Sequence, residues 1–299
     1  MLTKIRASLE LMRPANIITA FADILAGFAV AGGAIFYVNG LESTPEGLFW
    51  LLIATFGLYG GGVVFNDVFD AELDADERPE RAIPSGRISI TEASLLGSVL
   101  LLGGMLSAFQ VNTVAGVIAV VIAACAIFYD WKAKYSVFWG PFFMGMCRGG
   151  NLLLGMSVTA SVLLVYWPLA IIPVIYIAAI TLVSQSEVSG GNRQHGFIAL
   201  GVMLVVITAL VLISVLPETE FLPSLPFLFI FAFMVLPAFY SAAKTPEPST
   251  IKSAIKRGVI SLVLLNSVVA AAFAGFTMGV VVFGVFLLSV FTAKIFDVT

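Results

Sequence analysis

Ten apolar stretches fall near 17–38, 47–65, 91–110, 112–129, 138–157, 162–183, 196–216, 224–242, 258–275 and 278–296. Each is close to the ~20 residues that an α-helix needs to cross a bilayer. Inside hydrocarbon every backbone N–H and C=O must be paired within the protein, which leaves only helices or a closed barrel. Barrel strands take ~10 residues of alternating character, so these longer runs are helices. Hydrophobic residues make up 60% of the chain and charged residues 11%, against roughly 25% charged in a soluble domain. The chain therefore reads as an all-α polytopic membrane protein of nine or ten transmembrane helices, embedded in the lipid bilayer. Without a Pro/Ser-rich linker to divide it, 1–299 reads as a single transmembrane domain.

Basic residues are sorted to one side of these spans. Lys4, Arg6 and Arg13 precede the first stretch; Arg78, Arg81 and Arg87 follow the second; Lys132 and Lys134 follow the fourth; Arg193 follows the sixth; Lys244, Lys252, Lys256 and Arg257 follow the eighth. The turns near 39–46, 110–112, 157–162 and 217–223 carry none. Short loops rich in Lys and Arg stay in the cytoplasm, so the amino terminus and the two long polar loops, 66–90 and 184–197, are expected on the cytoplasmic face of the inner or plasma membrane. Lys294 joins them only if 278–296 is a separate tenth crossing. The first stretch is too long for a signal-peptide core and reads as an uncleaved span. The net charge of −3 and the sorted basic residues exclude a nucleic-acid-binding patch. Cys125 and Cys147 both lie within spans, so neither a disulfide nor a metal framework follows from them.

Chemistry concentrates in Asn66-Asp67-Val68-Phe69-Asp70-Ala71-Glu72-Leu73-Asp74, at the end of the second span. At helical spacing Asp67, Asp70 and Asp74 stand at i, i+3 and i+7 and project from one face. Mg²⁺ prefers hard oxygen ligands and is commonly held by one or two carboxylates together with substrate phosphates. Asn66, four residues before Asp70, adds an amide on nearly the same face. A solvated acidic loop is the plainer alternative. Downstream, Arg78-Pro79 and Ile83-Pro84-Ser85-Gly86 break any helix, and Ser89 with Glu92 reads as a capping box opening the third span.

Arg13-Pro14-Ala15-Asn16, the N-D-x-x-D-x-x-x-D run at 66–74, and Arg78-Pro79 with Ile83-Pro84-Ser85-Gly86-Arg87-Ile88-Ser89 together resemble the UbiA superfamily of intramembrane prenyltransferases. The likeness continues through Tyr129, Lys132, Arg148 and Asn151 and covers nearly the whole chain. It implies a helical bundle around a central cavity and Mg²⁺-dependent transfer of an isoprenyl group from an allylic diphosphate donor to an aromatic or other small nucleophilic, hydrophobic acceptor. By the same resemblance Asp67, Asp70 and Asp74 are metal ligands, Asn66 is a phosphate contact, Lys132 is a cationic diphosphate contact, and Asn16 lines the cavity. Tyr129, Arg148 and Asn151 are further candidate substrate contacts.

Arg148 is the most costly residue to place, since a charge at mid-span carries ~2.5–3.5 kcal/mol on insertion scales. A diphosphate would suit it, and so would a buried aspartate. The second polar loop, Ser184-Gln185-Ser186-Glu187-Val188-Ser189-Gly190-Gly191-Asn192-Arg193-Gln194-His195, departs from the superfamily's second aspartate motif and is similar to its EboC-like branch. Glu187 is the one acid left to ligate metal there, with Asn192 and Arg193 placed to meet phosphate. The lone histidine, His195, reads more readily as a helix-starting residue than as a base. Two other readings stay open: a lipid-diphosphate-binding protein without turnover, and a transport-related protein of the same fold. Carboxylates gathered on one side argue against transport, which spreads charge through the spans.

Overall fold

The computed structural model describes residues 2–38, 45–185 and 193–292. Its elements are helices: α1 (Leu2–Met12), α2 (Pro14–Val38), α3 (Pro45–Phe69), α4 (Ala71–Glu77), α5 (Ile90–Val111), α6 (Thr113–Trp131), α7 (Trp139–Met156), α8 (Ala160–Tyr166), α9 (Ile171–Ser184), α10 (Arg193–Ser214), α11 (Phe221–Lys244) and α12 (Pro248–Thr292). Prolines open α2, α3 and α12, where a missing N–H leaves no carbonyl unpaired. The expected capping box is formed: the Ser89 side chain accepts from the Glu92 N–H and the Glu92 carboxylate accepts from the Ser89 N–H. Asn112 caps α6 through the Ala115 N–H and ties it to α7 by donating to the Ser157 carbonyl, each at 2.8 Å.

Among the described residues eight segments are long and apolar enough to cross a membrane, α8 and α9 counting together. The more polar α7 packs between α2, α6 and α9 as a further member of the bundle. α12 is two arms. Its backbone leaves helical geometry at Ala274 and at Gly275, where φ is 80°, and a β-carbon on Gly279 would lie 2.7 Å from that of Ala271. Eight residues of straight helix span about 12 Å, so the chain turns back at Gly275, a backbone angle that glycine adopts at no steric cost. The ten stretches seen in the sequence all have helices, the last two being the arms of α12.

Two close helix approaches shape the half of the bundle that matters for function. A β-carbon on Gly57 would meet the Leu100 carbonyl at 2.4 Å, and one on Gly104 would meet the Ala54 carbonyl at 2.8 Å, so α3 and α5 touch backbone to backbone. Gly27 and Gly155 bring α2 and α7 together in the same way. Small residues supply this contact in lipid, where no hydrophobic force pushes helices together. The aliphatic core of the second half is built by α9 to α12 around Tyr176, Phe231 and Phe239.

Candidate functional site: a charged mouth over an intramembrane cavity

A cavity of about 260 Å³ opens between α2, α3, α6 and α7. Its α3 wall is one helical stripe of Thr55, Leu58, Tyr59, Gly62, Val63 and Asn66, spaced at 3, 4, 7, 8 and 11 residues as one face of a helix requires. Facing it are Ile122, Ala126, Tyr129 and Asp130 of α6, with Met144, Cys147 and Asn151 of α7. From Thr55 to Asn66 the stripe runs about 16 Å at 1.5 Å per residue. The walls are apolar; polar groups gather at the mouth and the floor.

At the mouth every motif aspartate has a cation. Arg13 Nη2 lies 2.6 Å from Asp67 Oδ1. Arg81 Nη1 sits between two carboxylates, 2.6 Å from Asp74 Oδ2 and 3.5 Å from Asp67 Oδ1. Lys134 Nζ meets Asp70 Oδ1 at 2.5 Å. Asn66 Nδ2 donates to Asp130 Oδ1 at 2.9 Å, which fixes a further buried carboxylate at the edge of the cavity, beside Asp67 and Asp74. Arg13 is itself held at φ 46°, a region disfavoured for a side-chain-bearing residue, and it precedes a proline. Such strain, of order 1–3 kcal/mol, persists where the surroundings over-determine it; here the Asp67 bond and the burial of Leu11 and Met12 do so.

The 78–89 segment explains its own sequence. Gly86, at φ 72°, turns the chain; Ala82 and Ile88 bury against Ala7 and Leu11; Arg87 is fastened to Glu10 and to the Glu80 carbonyl. These anchors lay the segment across the mouth and deliver Arg81 to the aspartates.

Several expectations change. The three aspartates do not share one face: α3 stops at Phe69, and Asp70 starts the next helix from a turn at φ −92°, ψ 1°. Asp67 and Asp74 converge on Arg81 while Asp70 turns to Lys134. Among the described residues no three acidic or soft ligands stand close enough to hold a metal by themselves. Lys132 is exposed over the Trp131 ring, and the cationic place at the mouth belongs to Lys134. Arg148 does not reach the mouth. It pairs with Asp23, donates to Thr19 Oγ1 and Tyr59 Oη, and lies 4.7 Å from the Tyr59 ring centroid. Asn16, Asn66, Tyr129 and Asn151 do line the cavity. Arg193 is exposed at the start of α10; Glu187 and Asn192 lie outside the described residues. His195 Nδ1 is buried with no hydrogen-bond partner.

The chemistry of the donor set fits Mg²⁺. Asp67 and Asp74 offer hard oxygens that already share one cation, the Arg81 guanidinium, and Mg²⁺ is a harder cation that takes such carboxylates together with phosphate oxygens. Asp130, which the sequence offers beside Tyr129 as a contact for donor phosphate or acceptor, lines the cavity, whereas sequence reasoning missed Arg81 and Lys134 as site residues and Asp23 altogether. For Asp23 the signal was present: a lone acid inside an apolar span is a functional or structural partner by default.

Arginine, lysine and aspartate side chains paired at the rim of an apolar shaft, within a bundle of bilayer-length helices, define an integral membrane protein with a charged mouth over an intramembrane cavity. The model of the UbiA prenyltransferase family matches residues 24–255, and the chain belongs to that family. It is 32% identical to digeranylgeranylglyceryl phosphate synthase of Methanosarcina barkeri (strain Fusaro / DSM 804) over 169 residues, 53% of this chain and 56% of that protein. With the enzyme of the same name from Methanosarcina mazei it shares 35% identity over 167 residues, 52% and 55% of the two chains. The chain thus spans about half the length of these curated relatives. Among solved structures, one of digeranylgeranylglyceryl phosphate synthase superposes with a TM-score of 0.68 at 22% identity, covering 91% of this chain and 99% of that one. A UbiA homologue from Archaeoglobus fulgidus bound to GPP and Mg²⁺ gives 0.57 at 12% identity, covering 93% and 99%. At these identities the structures establish the fold.

Proposed function

We propose that this protein is a Mg²⁺-dependent prenyltransferase that moves a geranylgeranyl group from its diphosphate to a glyceryl phosphate acceptor already carrying one such chain. The observation that carries the reading is the pairing of aspartates with Arg13, Arg81 and Lys134 directly over an apolar intramembrane shaft. The relatives' name supports the donor and the acceptor, and moves the acceptor away from the aromatic compound that the family resemblance first suggests. The mouth faces the cytoplasm, by the sorting of basic loops.

Asp67 and Asp74, whose oxygens already share one cation, would hold Mg²⁺ together with oxygens of the substrate diphosphate. When bound, the ion neutralises the charge that grows on the departing diphosphate. Arg13, Arg81 and Lys134 then leave their carboxylates for phosphate oxygens, so the site stays charge-balanced in both states. The allylic C–O bond breaks, pyrophosphate departs at the mouth, and the acceptor oxygen bonds to the allylic carbon. Asp130, oriented by Asn66, accepts the acceptor's hydroxyl proton. The apolar walls exclude water that would otherwise trap the cation.

The test is pyrophosphate release by purified protein from geranylgeranyl diphosphate, with geranylgeranylglyceryl phosphate or an aromatic compound as acceptor, with and without Mg²⁺. Mg²⁺-dependent product with the glyceryl phosphate supports the reading. Product only with the aromatic compound replaces the acceptor, and no product with either sinks the enzyme reading.

A further inference from the structure

Below the charged mouth, three polar groups of the cavity find no partner among the described residues: the Asn16 side-chain amide of α2, the Tyr59 hydroxyl proton of α3 and the Tyr129 hydroxyl of α6. The other polar side chains of the lining are engaged. Arg13 holds Asp67, Asn66 holds Asp130, Thr55 donates to Asn151 Oδ1, and Asn151 donates to the Ala20 carbonyl and to Asp23. Between apolar walls inside a bilayer an unanswered O–H or N–H is costly, so these three groups call for a ligand oxygen or a water.

Tyr59 is the one of the three whose direction is fixed. Its oxygen accepts from Arg148 Nη2 at 3.0 Å, and the guanidinium carbon lies 4.7 Å from its ring centroid. Arg148 is itself held by Asp23 at 3.0 Å and by Thr19 Oγ1 at 2.8 Å. With the guanidinium on one side of the phenol oxygen, the proton turns to the other, and Tyr59 lines the cavity. A hydroxyl that accepts from a cation is also polarised into a stronger donor. The packing thus presents one oriented hydrogen-bond donor two helical turns, about 10 Å, below Asn66 on the same stripe of α3.

Neither part of the donor answers it. The diphosphate belongs to the cations at the mouth, and the isoprenyl tail is hydrocarbon without a lone pair. A glyceryl phosphate that carries one geranylgeranyl chain offers three kinds of oxygen: the phosphate, the free hydroxyl, and the ether oxygen that joins the chain to glycerol. The phosphate stays with the cations at the mouth, and the hydroxyl stands beside Asp130, to which it gives its proton. The ether oxygen is left, on the neighbouring glycerol carbon. Two hydrogen bonds of about 2.8 Å, with vicinal oxygens between them, cover most of the two turns from Asn66 down to Tyr59. We infer that Tyr59, oriented by Arg148, recognises the acceptor by donating its proton to this ether oxygen. The inference rests on the acceptor reading above and deepens it: Tyr59 selects an ether-linked acceptor, and Arg148 is its positioning residue.

The test is equilibrium binding to the purified protein, without donor, of geranylgeranylglyceryl phosphate and of its carba analogue, in which a methylene replaces the ether oxygen. The wild type is expected to bind the ether about tenfold more tightly, the discrimination of one hydrogen bond. Tyr59→Phe keeps the ring against Arg148 and should bind the two compounds alike. A merely structural effect of that substitution would weaken both and leave their ratio standing, which counts against the contact. In Asp23→Asn with Arg148→Met the hydroxyl loses its orientation and the ratio should shrink; an undiminished ratio overturns the part given to Arg148. A wild type that binds both compounds equally overturns the contact, the hydroxyl then meeting water alone, and product formed in the same preparation would leave the enzyme reading intact. If geranylgeranyl diphosphate yields no product while the ether preference persists and depends on Tyr59, the enzyme reading fails and the contact stands. Binding of neither compound rejects the acceptor and the contact together.

Discussion

Arg148 of α7 and Asp23 of α2 form an ion pair in the interior of the bundle, 3.0 Å from Nη1 to Oδ2, with side chains 4% and 0% exposed. Asn266 of α12 donates to the other Asp23 oxygen at 2.6 Å, and Asn151 and Tyr59 join the same network. Four helices, α2, α3, α7 and α12, are thus fastened by polar bonds in the interior of the bundle. The network also forms the back of the cavity floor, through Thr55, Tyr59 and Asn151.

Removing one partner of a buried pair leaves the other charge uncompensated and costs about 3–5 kcal/mol, whereas replacing both by neutral groups of similar volume is often nearly neutral. We expect Arg148→Met to destabilise the detergent-solubilised protein by that amount, and Asp23→Asn combined with Arg148→Met to recover most of the loss. Thermal unfolding of the two variants and the wild type decides this. A double variant no more stable than the single one would show that the pair is not a self-contained unit.

How far the sequence carried the argument depends on the kind of residue. Helix number and extent follow from hydropathy because lipid forces each span to be helical and of similar length, and even the two arms of α12 are legible as separate apolar runs. Cap chemistry at Ser89 and Glu92 is equally local. The mouth was only half legible. Helical spacing placed Asp67, Asp70 and Asp74 on one face, but the turn at Asp70 and the competing cations redistribute them. Lys134 and not Lys132 reaches Asp70 because α6 ends at Trp131 and the following turn swings residue 134 inward. For Arg148 the sequence favours a substrate contact over a buried aspartate, and the packing supplies the aspartate, Asp23.

The two lysines after α6 make a sharp comparison. Lys134 is mostly buried and bonded to Asp70, while Lys132 is exposed at Trp131. Loss of a preorganised cation at a developing anion reduces kcat on the order of a hundredfold. We expect that loss for Lys134→Ala in a pyrophosphate-release assay, and a change within about threefold for Lys132→Ala, as for an exposed charge that screens readily. Equal effects would remove Lys134 from the site.

Arg81 bridges Asp67 and Asp74 in the absence of ligand and is proposed to move to phosphate. Arg81→Gln removes a cation that competes with Mg²⁺ and, at the same time, a diphosphate contact. The two consequences have opposite signs. Affinity for Mg²⁺ alone should rise by about tenfold, the effect of 1.4 kcal/mol, while the KM for geranylgeranyl diphosphate should increase. Calorimetric titration with Mg²⁺ and steady-state kinetics give the two numbers separately. Weaker Mg²⁺ binding would mean that Arg81 builds the carboxylate pair and does not merely fill it.

Adjacent glycines on α3 separate packing from function. A β-carbon on Gly61 would fall 2.7 Å from Leu101 Cγ and 2.9 Å from the Gly97 carbonyl of α5, whereas one on Gly62, which lines the cavity, would make only an ordinary contact with the Ala126 β-carbon of α6 at 3.4 Å. Gly61→Ala therefore wedges two helices apart, an overpacking that costs typically about 1–3 kcal/mol. Gly62→Leu points into the shaft, and replacing a mid-helix glycine relieves a backbone-entropy penalty of roughly 0.5–1 kcal/mol. We expect Gly61→Ala to lower the Tm and, in the fraction that folds, to leave the KM for the donor near its wild-type value. Gly62→Leu should hold or raise the Tm while reducing kcat/KM by about tenfold or more through occlusion of the shaft. The opposite pattern, stability lost at 62 and catalysis lost at 61, would place the hydrocarbon path on the α5 side of α3 and not in the cavity that Asn66 and Asp130 cap.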